Sequence, residues 1–295
     1  MILSRLCDWL PGHRPLEPEP AAGVASPAGA GPAIAAAAPV WTAERLAVCD
    51  ALWGAGFNLP GGEEEVLRLA KPLGLSEAIS VLLLGCGAGG AACCLVESLG
   101  AWVSGFEADP ALVAAATLRC TAAGLGRRAP IEPWDPAAPR FTARHYHHAL
   151  ALEPLRDASA ETVLAALAGA LRPGSNLVLT EVVEGDPSVV APFPDWLRVE
   201  RRRPPPLASS VGVVLESLGF EVRIAEDITQ RHVQLMARGW RDLVRGIGAA
   251  RPSPTRAAHM VAEAELWLLR ARLMRAGRVR LMRWHAIARA TVGVS

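Results

Sequence analysis

Residues Val81 to Gly90, VLLLGCGAGG, constrain this chain more than any other stretch. A short branched apolar run reads as a buried strand, and glycines at alternate positions then end it abruptly. The run from Gly90 to Leu99 is helix-compatible, so the segment is a strand, a tight turn and a helix. In such a unit the glycines let the backbone approach a ligand, and the helix start offers free amide N–H groups. Gly85, Gly87 and Gly89 satisfy GxGxG, while Gly85, Gly87 and Gly90 satisfy GxGxxG, so the spacing alone does not name the ligand.

The following strand narrows it. VSGFEADP places Glu107 about 20 residues past the turn, where a ribose-binding carboxylate is expected. Turn and acid together point to a ribose-bearing cofactor. Around them, strand and helix signals alternate, which predicts a mostly parallel sheet with helices on both faces. Strands are expected near Ser80–Leu84, Trp102–Phe106, Pro130–Pro133, His145–Ala151, Asn176–Val183, Glu221–Glu226 and Arg278–Ile287. Helices are expected near Gly90–Leu99, Pro110–Ala123, Ala160–Leu171 and Ser209–Leu218, with two longer ones, Gln230–Gly246 and Pro254–Ala276, ahead of the last strand. RRRPPPL at Arg201–Leu207 breaks the pattern.

Ahead of the first strand, WTAERLAVCDALW and GEEEVLRLAKPLGL read as two helices, Thr42 being an N-cap for the first. Residues 11–40 are Pro/Ala/Gly-rich and cannot bury enough apolar surface to offset ordering entropy, so 1–40 is read as a disordered arm. Its start, SRLCDWL, is either a frayed terminus or one amphipathic turn that docks on the body of the protein or on a protein partner. A formal net charge of +1 argues against a general polyanion binder, so no nucleic-acid partner is expected. The cysteines show no CxxC spacing, which leaves no support for a zinc site, and no apolar run is long enough to span a membrane. A cytoplasmic location is the default expectation.

The element order, with two helices before the glycine turn and a late strand after a helical insertion, resembles a class I S-adenosylmethionine-dependent methyltransferase. Within that superfamily, WTAERLAVCDALWGAGFNLPGG, VLLLGCGAGG, LRPGSNLVLTE, LGFEVRIAEDIT and WLLRARLMRAGRVRLMRWHAIAR are similar to small-molecule N-methyltransferases of the phosphoethanolamine type. The resemblance implies a Rossmann-like, seven-stranded, mostly parallel α/β sheet. It divides the chain into the arm, an N-terminal helical cap over 41–78, and a core over 79–295 with a helical insertion at about 230–277. S-adenosyl-L-methionine is the implied cofactor, with Gly85, Cys86, Gly87 and Gly89 at its amino-acid end, Glu107 on the ribose hydroxyls, and Ala108 and Asp109 beside the adenine. Asp135 stands where an acid commonly receives the adenine amino group, or is simply a turn residue before Pro136.

Several positions depart from that family. The acid expected two residues before the first glycine is Leu83, Trp41 and Asp157 stand for the catalytic tyrosine and histidine, and Leu59 and Pro60 replace hydroxyl-bearing residues of the leading loop. An activated sulfonium donor tolerates such loss, because orientation supplies much of the catalysis and a base the remainder. Candidate bases are Glu153, His147, His148 and His232; each histidine has an ordinary structural alternative. Trp41, Trp53 and Phe57 are candidate walls for a small-molecule substrate, or core. The expected function is methyl transfer to an apolar or amphipathic small molecule. A degenerate module that binds the cofactor or a partner protein, and a nicotinamide-dependent oxidoreductase, are the alternatives.

Overall fold

The computed structural model describes residues 41–247 and 252–289. The arm expected over 1–40 lies outside the described residues. Seven strands, β1 (Ser80–Leu84), β2 (Trp102–Glu107), β3 (Ile131–Pro133), β4 (Tyr146–Leu152), β5 (Leu171–Glu184), β6 (Phe220–Asp227) and β7 (Val279–Ala288), form one sheet in the order β3-β2-β1-β4-β5-β7-β6. β1 pairs parallel with β2 and β4, β2 with β3, and β4 with β5, while β7 runs antiparallel to both β5 and β6. The sheet is therefore mostly parallel, as expected. The last strand lies inside the sheet, with β6 at the edge.

Strand alternation sends successive residues of β1 to opposite faces. Leu82 and Leu84 enter one apolar core with Val163, Leu164 and Leu167 of α5 (Ala160–Ala170) and with Val211 and Leu215 of α7 (Ala208–Ser217). Val81 and Leu83 enter another with α2 (Gly62–Ala70), α3 (Gly90–Leu99) and Cys120 of α4 (Pro110–Ala122). Each face of the sheet is covered by helices, and a doubly covered parallel sheet needs apolar residues at every position of its central strands. β1 meets that demand, with Val81 to Leu84 all at 0% exposure.

A third core joins elements far apart in sequence. Val48, Leu52 and Trp53 of α1 (Ala43–Trp53) pack with Trp196 of α6 (Phe193–Glu200), with Met236 and Trp240 of α8 (Thr229–Ile247), and with Trp267 of α9 (Pro254–Arg275). The leading helix and the insertion before β7 thus share one apolar layer. No helix among the described residues is long and apolar enough to cross a membrane.

Candidate functional site

In a parallel sheet the ligand site lies beyond the carboxyl ends of the strands. Here the ends of β1, β2 and β4 bring together the glycine turn, Glu107 and Glu153. Gly85 has φ 77°, and a Cβ there would lie 2.4 Å from the Leu152 carbonyl oxygen, so only glycine lets β1 turn against β4. Gly87 has φ 58°, and a Cβ there would lie 2.2 Å from Asn58 Oδ1. Gly89 is the N-cap of α3, seated against Ala116 of α4. Cys86 is buried between them, and burial pushes its thiol up.

Glu107 binds inward as well as facing a cavity. Its Oε2 accepts from Gly87 N at 2.9 Å, and its Oε1 from Ala108 N at 2.8 Å and Asp109 N at 3.2 Å. A carboxylate has about four lone-pair sites, so roughly one, on Oε2, remains for a ligand hydroxyl. Burial raises its carboxyl above the ordinary range, and the three amide bonds oppose that rise. Asp109 caps α4, its Oδ1 accepting from Ala111 N at 2.8 Å. Asp135 is exposed and its Oδ1 accepts from Ala137 N at 2.9 Å, the turn-residue alternative; it does not face the cavity.

Two cavities open at this edge. The larger, about 270 Å³, is bounded by Glu107, Ala108, Asp109, Leu112 and Trp134. A narrow one of about 40 Å³ is walled by Phe57, Val66, Leu69, Cys86, Ile228 and His232. Both are bordered by Asn58, Leu59, Gly85, Leu152 and Glu153, so they meet at the turn.

The candidate bases separate sharply. His147 and His148 lie at the opposite end of the sheet. His147 Nδ1 accepts from Ser80 N at 3.0 Å, and His148 Nδ1 from Asn176 N at 3.0 Å. Ser80 starts β1, and a five-residue strand spans about 13 Å. Neither histidine can reach the turn, so both are corrected to structural residues. His232 does line the narrow cavity; it is 5% exposed and its Nε2 makes no hydrogen bond. Burial and the charge of Arg270 hold its pKa well below the ordinary histidine value, so the ring is neutral. Glu153, with φ 49° at the end of β4, borders both cavities and is ion-paired with Arg270. Burial alone would raise its carboxyl, but Arg270, with Arg202 and Arg156, holds it below the ordinary range, which makes it a weak base.

Of the aromatic candidates, Trp41 borders the larger cavity beneath the Arg45 guanidinium, and Phe57 borders the narrow one. Trp53 is instead core, edge-on to Trp267 with centroids 5.2 Å apart. Leu83 is buried at 0% exposure among apolar side chains, where an acid would have no partner.

A buried ionic cluster behind Glu153 is absent from the sequence reading. Glu181 of β5 accepts from Leu155 N at 2.7 Å and from Arg202 at 3.1 Å, and Arg202 also lies 3.6 Å from Glu200. Arg270 lies 3.6 Å from Glu200 and pairs with Glu153. Glu181 and Arg202 stand 21 residues apart and Glu153 and Arg270 117, so no local spacing announces these two pairs. By bonding Leu155 N, Glu181 fixes the turn that carries Glu153.

No family model matches the chain, and a search of curated proteins returned no match. Among solved structures the chain is similar to Haemonchus contortus phosphoethanolamine N-methyltransferase 2 in complex with phosphomonomethylethanolamine and S-adenosylhomocysteine. That match has a TM-score of 0.73 and 17% identity, over 83% of this chain and 57% of the other, so the chain spans little more than half of that enzyme. It is also similar to geranyl diphosphate C-methyltransferase from Streptomyces coelicolor A3(2), with a TM-score of 0.60 and 11% identity over 76% of this chain and 79% of that one. The cyclase SpnF matches with a TM-score of 0.59 and 20% identity over 77% and 82%. At these identities the common property is the fold, a Rossmann-like, mostly parallel α/β sheet.

Proposed function

We propose that this protein binds S-adenosyl-L-methionine in the larger cavity and directs its methyl group to an apolar or amphipathic small molecule in the narrow one. The observation that carries this reading is the meeting of the two cavities at Gly85, Leu152 and Glu153. The residues fit the cofactor: Glu107 keeps an acceptor site for a ribose hydroxyl, Leu112 and Trp134 offer apolar surface to a heterocycle, and Gly85 and Asn58 border the same cavity at the turn. The bound sulfonium supplies an already activated methyl group; the protein's part is to hold an acceptor in line with it. Apolar side chains make up most of the narrow cavity's walls, and neutral His232 borders it as an acceptor for a proton, a weak base at its lowered pKa, so orientation supplies most of the catalysis.

The wall chemistry speaks to the acceptor. Among the described residues no arginine or lysine borders the narrow cavity, and Glu65 and Glu153 do. Arg270 behind it is committed to Glu153 and Glu200. Glu65 is likewise paired, with Arg68 and Arg231, so a phosphate ester would compete with carboxylates for cations already committed, and the phosphobase of the nematode enzyme is a poor fit.

A second reading, a degenerate module that binds the cofactor or a partner protein without turnover, is favoured by Glu153 being tied to Arg270 and by Leu83. Fold alone does not separate the two, since the same sheet serves a cyclase. Calorimetric titration with S-adenosylmethionine and S-adenosylhomocysteine tests the first reading. Binding of both is expected, and binding of neither removes it.

A further inference from the structure

The leading loop carries a polar side chain into the middle of the glycine turn. Asn58 Oδ1 occupies the space beside Gly87, 2.2 Å from where a Cβ would stand, and Asn58 borders both cavities. Its carboxamide makes no hydrogen bond within the described residues. The loop that presents it is clamped to the turn from behind. Gly90 N donates to Gly56 O at 3.0 Å, and Gly56 N donates to Asp50 Oδ1 at 2.7 Å. Asp50 pairs with Arg119 at 3.2 Å, and Arg119 Nε donates to Ala88 O at 3.1 Å. A chain of four contacts thus joins α1, α4 and the turn, and fixes where Asn58 sits.

A carboxamide offers one acceptor oxygen and two N–H donors. That pairing suits a zwitterion, with Oδ1 toward an ammonium and Nδ2 toward a carboxylate. Leu83 cannot serve, being buried in the core at 0% exposure. Leu59 and Pro60, the next loop residues, have no side-chain polar atom. We infer that Asn58 is the residue that recognises the amino-acid end of the cofactor, in place of the acid that Leu83 displaces. This inference rests on the cofactor reading above and assigns a positioning role, not a catalytic one.

Two ligands isolate that end. S-adenosylhomocysteine carries the amino-acid group, and 5′-methylthioadenosine has the same nucleoside without it. Both are titrated calorimetrically into the full chain, as wild type and as Asn58→Ala and Asn58→Leu, with thermal melts to verify folding. Leucine keeps the branched outline of asparagine with bulkier groups and no hydrogen bonding, and alanine leaves the space open, so a loss shared by both variants reports recognition rather than packing. The expected result is a loss of S-adenosylhomocysteine affinity of about tenfold or more in both variants, since each forfeits charge-assisted hydrogen bonds. Methylthioadenosine affinity is expected to stay within about twofold, so the preference between the ligands collapses. Wild-type affinity for S-adenosylhomocysteine in Asn58→Leu, or an equal loss for both ligands, overturns the assignment while leaving the cofactor site standing. Failure of the wild type to bind either ligand overturns the site and the assignment together.

Discussion

At Gly85 two requirements coincide, a left-handed backbone and a carbonyl at 2.4 Å from the missing Cβ. Gly124 has a similar φ of 72° with nothing within 4 Å, so it carries the first requirement alone. Gly85→Ala is expected to lower stability by more than Gly124→Ala, whose strain alone costs about 1 kcal/mol or somewhat more. It is also expected to abolish binding of S-adenosylhomocysteine, because relieving the clash moves the turn away from β4. Paired thermal melts and titrations check both points, and equal melting temperatures for the two variants contradict the first. These glycines and Glu107 were legible in the sequence because backbone geometry dictates residue type at such turns. The histidines were not. Their residue type suits catalysis, but only the direction of β4 reveals that His147 and His148 stand at the wrong end of it. Asp135 and Trp53 failed differently, since a turn acid and a core tryptophan carry the same letters as a ligand contact.

Between elements, the layer formed by α1, α8 and α9 depends on one close approach. A Cβ at Gly239 of α8 would lie 2.3 Å from Trp53 Cζ3 and 2.7 Å from the Leu52 carbonyl oxygen of α1. Helix propensity favours alanine over glycine by about 1 kcal/mol, whereas overpacking against backbone costs about 1–3 kcal/mol. The clash wins, so Gly239→Ala is expected to destabilise. Gly246→Ala, in the same helix with nothing within 4 Å, is expected to be neutral or mildly stabilising. Urea denaturation of the two variants decides it; a gain in both shows that the helices separate freely. At this scale the sequence was most informative where period and punctuation agreed, as at β1 with its glycine stop and α4 with its Asp109 cap. It was least informative at α6, a helix of eight residues between proline-rich stretches, whose burial of Trp196 is decided by α8 and α9. β7 was legible as a strand, but its antiparallel place between β5 and β6 depends on the sheet around it.

Across the whole molecule, the ionic cluster ties the sheet to the helical layer that closes the site. Glu153 and Glu181 belong to the sheet side, Glu200 and Arg202 to the end of α6, and Arg270 to α9. Arg270→Met leaves Glu153 and Glu200 buried beside one fewer cation, and breaking a buried pair in this way costs about 3–5 kcal/mol. Loss of that size is expected in denaturant melts at neutral pH, and a change below about 1 kcal/mol contradicts a buried pair. Glu181 gives the cluster its pH dependence. Burial, opposed by Arg202 and reinforced by Glu153, pushes its carboxyl from 4.5 up to about 7. A carboxyl whose folded pKa is raised binds its proton more tightly when folded, so it contributes stability that is full below the unfolded value and is lost as pH rises through the folded one. The window is therefore pH 4.5 to about 7. Glu181→Gln cannot lose a proton, so relative to wild type it gains stability across that window and levels off above it. Glu153 is coupled to Glu181, so the difference between the two proteins reports the titration of the coupled pair. Unfolding free energies of both proteins at pH 5, 6, 7 and 8 measure it, and parallel curves would place Glu181 among ordinary carboxylates, with Arg202 strong enough to hold it charged throughout. Because Glu181 also bonds Leu155 N behind Glu153, the same titration reaches the mouth of both cavities. Ligand affinity that changes over the same pH interval in wild type, and stays flat in Glu181→Gln, is the expected functional counterpart.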